Sequence, residues 1–176
     1  MTHIIITTGP ECCGKTSLAK ALSKSLRAPL VTEIAREYLN IKRSLQPHFQ
    51  YQQKDLLQIA QLQHQAEQEA TNSKTESLIC DTDLLVILIW SEVKYGNCHP
   101  WISTTLATAQ QKTRRTYLLC DTSIDWQPDA LRENPNDRLT LFTRYQEKLT
   151  SLGARVLIVK GDEHTRLTQA KAFIAS

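Results

Sequence analysis

No apolar run in this chain of 176 residues is longer than the seven from Leu84 to Trp90, and roughly 20 are needed to cross a bilayer. No membrane span is therefore expected. The amino end carries no charged segment followed by a cleavage site and enters a β-branched run at once, so secretion is not expected either. Basic blocks are missing as well. With a net charge of +3, charge alone makes no case for nucleic acid or a membrane surface as partner. The five cysteines form no CxxC and no metal-spaced set with histidine, which argues against structural zinc. Cys80 and Cys120 lie inside apolar strand patterns, where a free thiol behaves as a small hydrophobe. Unpaired thiols fit a reducing cytosol, the expected location. Internal repeats and low-complexity segments are absent.

What is present suffices for one core. At 41% hydrophobic residues, a chain of this length buries a single core of comfortable size, so one domain over residues 1–176 is expected. Strand patterns at 3–8, 29–33, 77–81, 116–121 and 155–160 alternate with helical ones. The helices are expected at about 14–26, 34–41, 51–73, 83–95, 101–112, 137–152 and 162–174, with Gly153 as a stop. Residues 42–48 and 122–136 read as polar loops, the second of them mobile. Nearly continuous apolar strands alternating with helices predict an α/β fold whose five-stranded parallel sheet is covered on both faces.

One octet carries the chemistry. Gly9-Pro10-Glu11-Cys12-Cys13-Gly14-Lys15-Thr16 spells GxxxxGKT between a β-branched strand and a helix with Leu18, Leu22 and Leu26 at four-residue spacing. In that order the pattern is a phosphate-binding loop, whose glycines let backbone N–H groups converge on a phosphate. Lys15 places a charge near the β and γ oxygens and faces the ligand, while the Thr16 hydroxyl is set to ligate Mg²⁺. The binding set is Gly9, Pro10, Glu11, Cys12, Cys13, Gly14, Lys15, Thr16 and Ser17, backed by the positive end of the helix dipole.

Other residues gain meaning from that loop. Leu78-Ile-Cys-Asp81 has the shape of a Walker B segment, with Asp81 as second metal contact. Asp83 leans to the same side if the chain stays extended, and metal binding, orientation of an acceptor hydroxyl and helix capping are all open to it. Glu33 closes the second strand on the edge where open α/β sheets bind ligands. It can take a proton from a substrate hydroxyl, or simply pair with Arg36 on the surface. Arg132 and Arg138, in and just after the polar loop, can close over a phosphoryl group in transfer. Arg114 and Arg115 are weaker candidates. Of Trp90, Trp101 and Trp126, only Trp126 lies in a polar segment, where it could stack on a ring.

The set GPECCGKT, Glu33-Ile-Ala-Arg36-Glu37-Tyr38, Asp55 with Ile59-Ala60 and Gln63, Asp81-Thr82-Asp83 and Asp125-Trp126-Gln-Pro-Asp129-Ala-Leu-Arg132 resembles the ribosylnicotinamide kinase domain of NadR-like proteins, often labelled AAA-type ATPases. The resemblance covers nearly the whole chain. It implies a P-loop kinase fold and transfer of the ATP γ-phosphate to the 5′-hydroxyl of nicotinamide riboside, giving nicotinamide mononucleotide. Bifunctional relatives carry an adenylyltransferase domain before the kinase, and with the phosphate loop starting at residue 9 that activity is expected to be absent. Many relatives have tyrosine directly after the acid that matches Glu33, where this chain has Ile34.

The expectation is thus an ATP- and Mg²⁺-dependent kinase of a small nucleoside. Lys15, Glu33, Asp83, Arg132 and Arg138 form the catalytic set, and Thr16 and Asp81 the metal set. The rival is a nucleotide-binding switch that hydrolyses ATP or GTP slowly and reports to a protein partner. A guanine-reading NKxD motif is missing, but the choice of purine stays open.

Overall fold

The computed structural model describes residues 1–73, 75–125 and 137–176. Five strands and seven helices follow one another as β1 (His3–Thr8), α1 (Lys15–Leu26), β2 (Leu30–Val31), α2 (Ile34–Leu45), α3 (Gln53–Asn72), β3 (Ser77–Asp81), α4 (Leu84–Tyr95), α5 (Pro100–Lys112), β4 (Arg114–Cys120), α6 (Arg138–Ser151), β5 (Arg155–Val159) and α7 (Glu163–Ala175). All strand pairs are parallel, in the order β2-β3-β1-β4-β5. The expected five-stranded parallel sheet is therefore what forms. β1 lies at its centre, and the chain departs to one side for β2 and β3 and to the other for β4 and β5. A crevice at the carboxyl end of β1 results, the place where open α/β sheets bind ligands.

Strand alternation separates two cores. Ile5, Ile79, Leu118 and Val159 face α1 and α7, packing with Leu18, Leu22 and Ala170. Ile4, Ile6, Leu78, Cys80, Tyr117 and Leu119 face the opposite way, onto Leu39, Leu56, Ile59, Leu85, Ile89, Ile102 and Leu149 from α2 to α6. Because both faces are covered, the central strands read as unbroken apolar runs. Among the described residues no helix is long and apolar enough to cross a membrane.

Boundaries shifted where local chemistry was overlooked. β2 covers only Leu30–Val31, since it is an edge strand preceded by Pro29, and Glu33 already serves as the N-cap of α2. α2 continues through the supposed polar loop to Leu45, because Lys42 and Arg43 suit the negative end of its dipole. It stops at Gln46, directly before Pro47, where the proline ring disfavours helical backbone. Pro100 opens α5 at a position where a missing N–H costs nothing, with His99 accepting from Trp101 N. β4 begins at Arg114, two residues early, because β1 holds it from that residue. Most of the expected mobile loop, residues 126–136, lies outside the described residues.

Several residues quoted for the family resemblance prove to be braces. Asp55 accepts from Tyr38 Oη at 2.8 Å and from Gln52 N at 2.8 Å, the second half of a capping box on α3. Burial and that carboxylate push the Tyr38 phenol up to about 12. Gln63 Oε1 accepts from Ile34 N at 3.0 Å, tying the start of α2, and hence Glu33, to α3. Asp55→Ala should lower stability by about 1–2 kcal/mol, the loss of a cap and one side-chain bond. Urea denaturation of the variant and the parent reads this directly.

Candidate active site

Between β1 and α1 the backbone reverses through three residues with positive φ: Gly9 at 134°, Cys12 at 53° and Gly14 at 83°. A Cβ on Gly9 would stand 2.8 Å from Cys120 O, and one on Gly14 would stand 2.8 Å from Ile124 Cδ1 and 3.2 Å from Arg166 Nη1. Both positions therefore require glycine. The carbonyl oxygens of the turn are tied by cations of the same chain. Lys15 Nζ donates to Gly9 O at 3.0 Å and Pro10 O at 2.6 Å, Arg138 Nη2 to Cys12 O at 3.1 Å, and Arg166 Nη1 to Cys13 O at 2.6 Å. The Lys15 ammonium, expected to face a ligand, here turns onto its own loop.

Arg166 is the brace that no motif announced. It is 2% exposed, reaches from α7, and also donates to Gly161 O at 2.8 Å, to Ser123 Oγ at 3.2 Å and to the Asp121 carboxylate. One buried guanidinium thus ties the phosphate loop to the ends of β4 and β5. An arginine in a polar helix carries no sequence signal for this, because its partners come together only in the fold.

The loop walls a cavity of about 350 Å³, within the range of small-molecule sites. All of Gly9 to Ser17 line it, together with Glu33 and Arg36. Beyond Glu33 the wall becomes apolar, made by Ala35, Leu39, Val86, Ile89, Trp90, Leu141 and Tyr145. Trp90 is fixed there, its indole N–H donating to Tyr51 Oη at 2.8 Å and the two rings meeting edge to face at 4.9 Å. Trp90 is therefore the tryptophan at the cavity; Trp126 and Arg132 lie outside the described residues. Glu33 is half-buried with Oε2 3.9 Å from Arg36 Nε, so the ion pair weighed from the sequence forms at the rim of the cavity.

Charge inside the loop is mutually supported. Burial alone would lower the Lys15 pKa, but the Cys13 sulfur and the Glu33 and Asp81 carboxylates outweigh it, and the ammonium is held above its ordinary value. Burial likewise pushes the Cys13 thiol up, while the hydrogen bond from Cys120 and the Lys15, Arg166 and Arg138 cations more than reverse it. Cys13 ends below its ordinary range and Cys120 well above.

The two acids of Asp81-Thr82-Asp83 separate. Ile79 packs on the α1 face and Leu78 and Cys80 on the other, so Asp81, two residues after Ile79, falls on the α1 face beside the loop. Thr82 then takes a φ of 74°, which ends the extended alternation and sends Asp83 to the opposite face. Asp83 is 1% exposed. Its Oδ1 accepts from Leu85 N at 3.0 Å, and its Oδ2 from Tyr117 Oη at 2.8 Å and Arg115 Nη2 at 3.3 Å. Burial raises its pKa, against the pull of Arg115. The expectation that Asp83 leans toward Asp81 and contacts an acceptor is corrected: the left-handed residue between them reverses its side, and capping α4 is the role it fills. Arg115, passed over as weak, is buried with Nη1 and Nη2 on the Glu67 carboxylate at 2.6 and 2.7 Å.

Among the described residues no group of three His, Cys, Asp or Glu gathers to hold a metal. Mg²⁺ bound with a nucleotide commonly takes only one or two protein oxygens beside phosphates and water. The hard oxygen donors Thr16 and Asp81, at the start of α1 and the end of β3, fit that requirement.

A family model described as AAA domain matches residues 4–166, nearly the whole chain. The chain belongs to the AAA domain family. Among solved structures, this AAA domain superposes on the NadR protein in complex with NAD and AMP-PNP with a TM-score of 0.68 at 18% identity, covering 99% of this chain and 50% of that one. The NadR protein in complex with NR gives 0.70 at 20%, with coverage of 98% and 50%. Deoxyadenosine kinase from M. mycoides, with products bound, gives 0.62 at 16%, with coverage of 98% and 97%. This AAA domain thus spans about half the length of the NadR chains that it matches. A comparison with curated proteins finds no match. At these identities the likeness establishes the fold, that of P-loop nucleoside triphosphatases and kinases.

Gly9→Ala should destabilise the AAA domain by about 1–3 kcal/mol, through strained backbone and a clash with the Cys120 carbonyl. Its urea midpoint should fall well below that of the parent.

Proposed function

We propose that this chain is an ATP- and Mg²⁺-dependent kinase of a small nucleoside, with nicotinamide riboside as the leading acceptor. The observation that carries the reading is one cavity lined both by the loop from Gly9 to Ser17 and by an apolar wall that includes Trp90, with the Glu33 carboxylate on the same cavity. A hydrolytic switch needs the first part alone. A kinase needs a second compartment for an acceptor, and an apolar wall with a fixed indole suits a flat ring. The solved NadR structures, one in complex with NR and one with NAD and AMP-PNP, support the same choice.

In this reading the N–H groups from Glu11 to Thr16 hold the β-phosphate, and Lys15 leaves its two carbonyls to reach the β and γ oxygens. Thr16 and Asp81 would hold Mg²⁺, which when bound would offset charge on the triphosphate. Glu33, which lines the same cavity as the loop, takes the hydrogen bond of the acceptor hydroxyl and draws off its proton as the hydroxyl oxygen bonds to the γ-phosphorus and the bond from that phosphorus to ADP breaks, with ADP as the leaving group. Arg138, already over the loop at Cys12 O, turns to the transferring phosphoryl group and steadies its charge. Arg132 is proposed to assist it. The apolar wall keeps water from competing for the phosphoryl group. We take the chain as a single kinase domain working in a reducing compartment such as the cytosol, which the buried thiols of Cys13, Cys80 and Cys120 suit.

The test is incubation with ATP, Mg²⁺ and a panel of nucleosides. ATP consumption should depend on an acceptor, and nicotinamide riboside should support it best. Lys15→Ala should reduce turnover by about 100-fold or more while remaining folded by circular dichroism. Hydrolysis at the same rate with and without any acceptor would overturn the proposal in favour of a switch.

A further inference from the structure

We propose that Arg115 is a positioning residue for the metal end of the site: by gripping Asp83 it fastens the left-handed turn at Thr82, and this keeps Asp81 directed at the first turn of α1. The proposal rests on the nucleotide-site reading above and concerns residues that do not touch the cavity.

Thr82 is the starting point. A β-branched residue at φ 74° is a genuine outlier that costs about 1–3 kcal/mol, and it persists only where its surroundings hold it from more than one side. On the near side Thr82 N donates to Thr7 O at 3.1 Å, which continues the β1–β3 ladder one residue past Asp81. On the far side Asp83 is fixed three times, by Leu85 N, Tyr117 Oη and Arg115 Nη2. Arg115 is in turn locked to Glu67 through both terminal nitrogens. The grip therefore runs from α3 through β4 to the turn.

Stability alone is a poor reason for this cluster. Two carboxylates share one guanidinium at almost complete burial, with Arg115 Nε left without a partner. Such arrangements stabilise little, and apolar replacements of similar volume often do as well or better. What an ion cluster supplies and an oily one does not is direction. It holds the Asp83 carboxylate at one point on the face opposite Asp81. Were Thr82 to relax into extended backbone, Asp83 would swing to the side of Asp81. The Asp81 carboxylate, steadied among the described residues by a long 3.5 Å contact from Thr7 Oγ1, would lose its aim.

The experiment is calorimetric titration of the folded protein with ADP, in Mg²⁺ and in EDTA, for the parent and for Arg115→Met and Tyr117→Phe. Parent binding should tighten with Mg²⁺. In the variants that tightening should shrink by about 10-fold, the scale of losing an outer partner of a metal ligand, while affinity in EDTA stays unchanged because the phosphate loop is braced separately by Arg166. Tyr117→Phe preserves the shape of the core, so the answer does not depend on Arg115→Met folding. Folded variants that keep the full parental Mg²⁺ response would overturn the positioning role and leave the site reading intact. Equal loss with and without Mg²⁺ would overturn it as well, by showing a merely structural effect. A parent without any Mg²⁺ response would overturn the site reading and this proposal together.

Discussion

The reversal of the backbone between Gly9 and Gly14 is the constraint on which the rest of the molecule turns. A chain that bends so sharply points its carbonyls outward and exposes them to desolvation, a cost comparable to a lost hydrogen bond for each. Here Lys15, Arg138 and Arg166 supply the donors. Two of those cations come from helices more than a hundred residues further along the chain. The loop therefore takes its shape only when β4, β5, α6 and α7 are in place, which couples a local motif to the whole sheet.

That coupling explains what could be read in advance. The parallel sheet, its covered faces and nearly every element were legible, because buried parallel strands write themselves as unbroken apolar runs and the helices between them as stripes. The phosphate loop was legible because its spacing is dictated by the geometry of the turn itself. Asp81 could be placed by strand alternation. Asp83 was misplaced because one threonine adopts a backbone angle that its side chain disfavours, and nothing in the letters Asp-Thr-Asp signals it. Arg115, Glu67, Tyr117 and Arg166 were missed for a related reason: their partners lie far off in the sequence, and a buried charge looks the same on paper as a solvated one.

The two faces of the sheet divide the labour. On the α1 and α7 face stand the loop, Asp81 and the Arg166 brace, a rigidly tied turn. On the other face Glu33 at the start of α2, Trp90 of α4 and Tyr145 of α6 line the same cavity. Gln63 and Asp55 fix α2 to α3 there. In the proposed kinase a change of acceptor would therefore call for new residues only on the second face.

The hold of Lys15 and Arg138 on the loop's own carbonyls carries a kinetic consequence. The loop's own carbonyls and a bound polyphosphate would compete for the same two cations, Lys15 and Arg138. In the proposed kinase that competition would favour release of whatever remains once the terminal phosphate has gone, with no separate device for ejecting it.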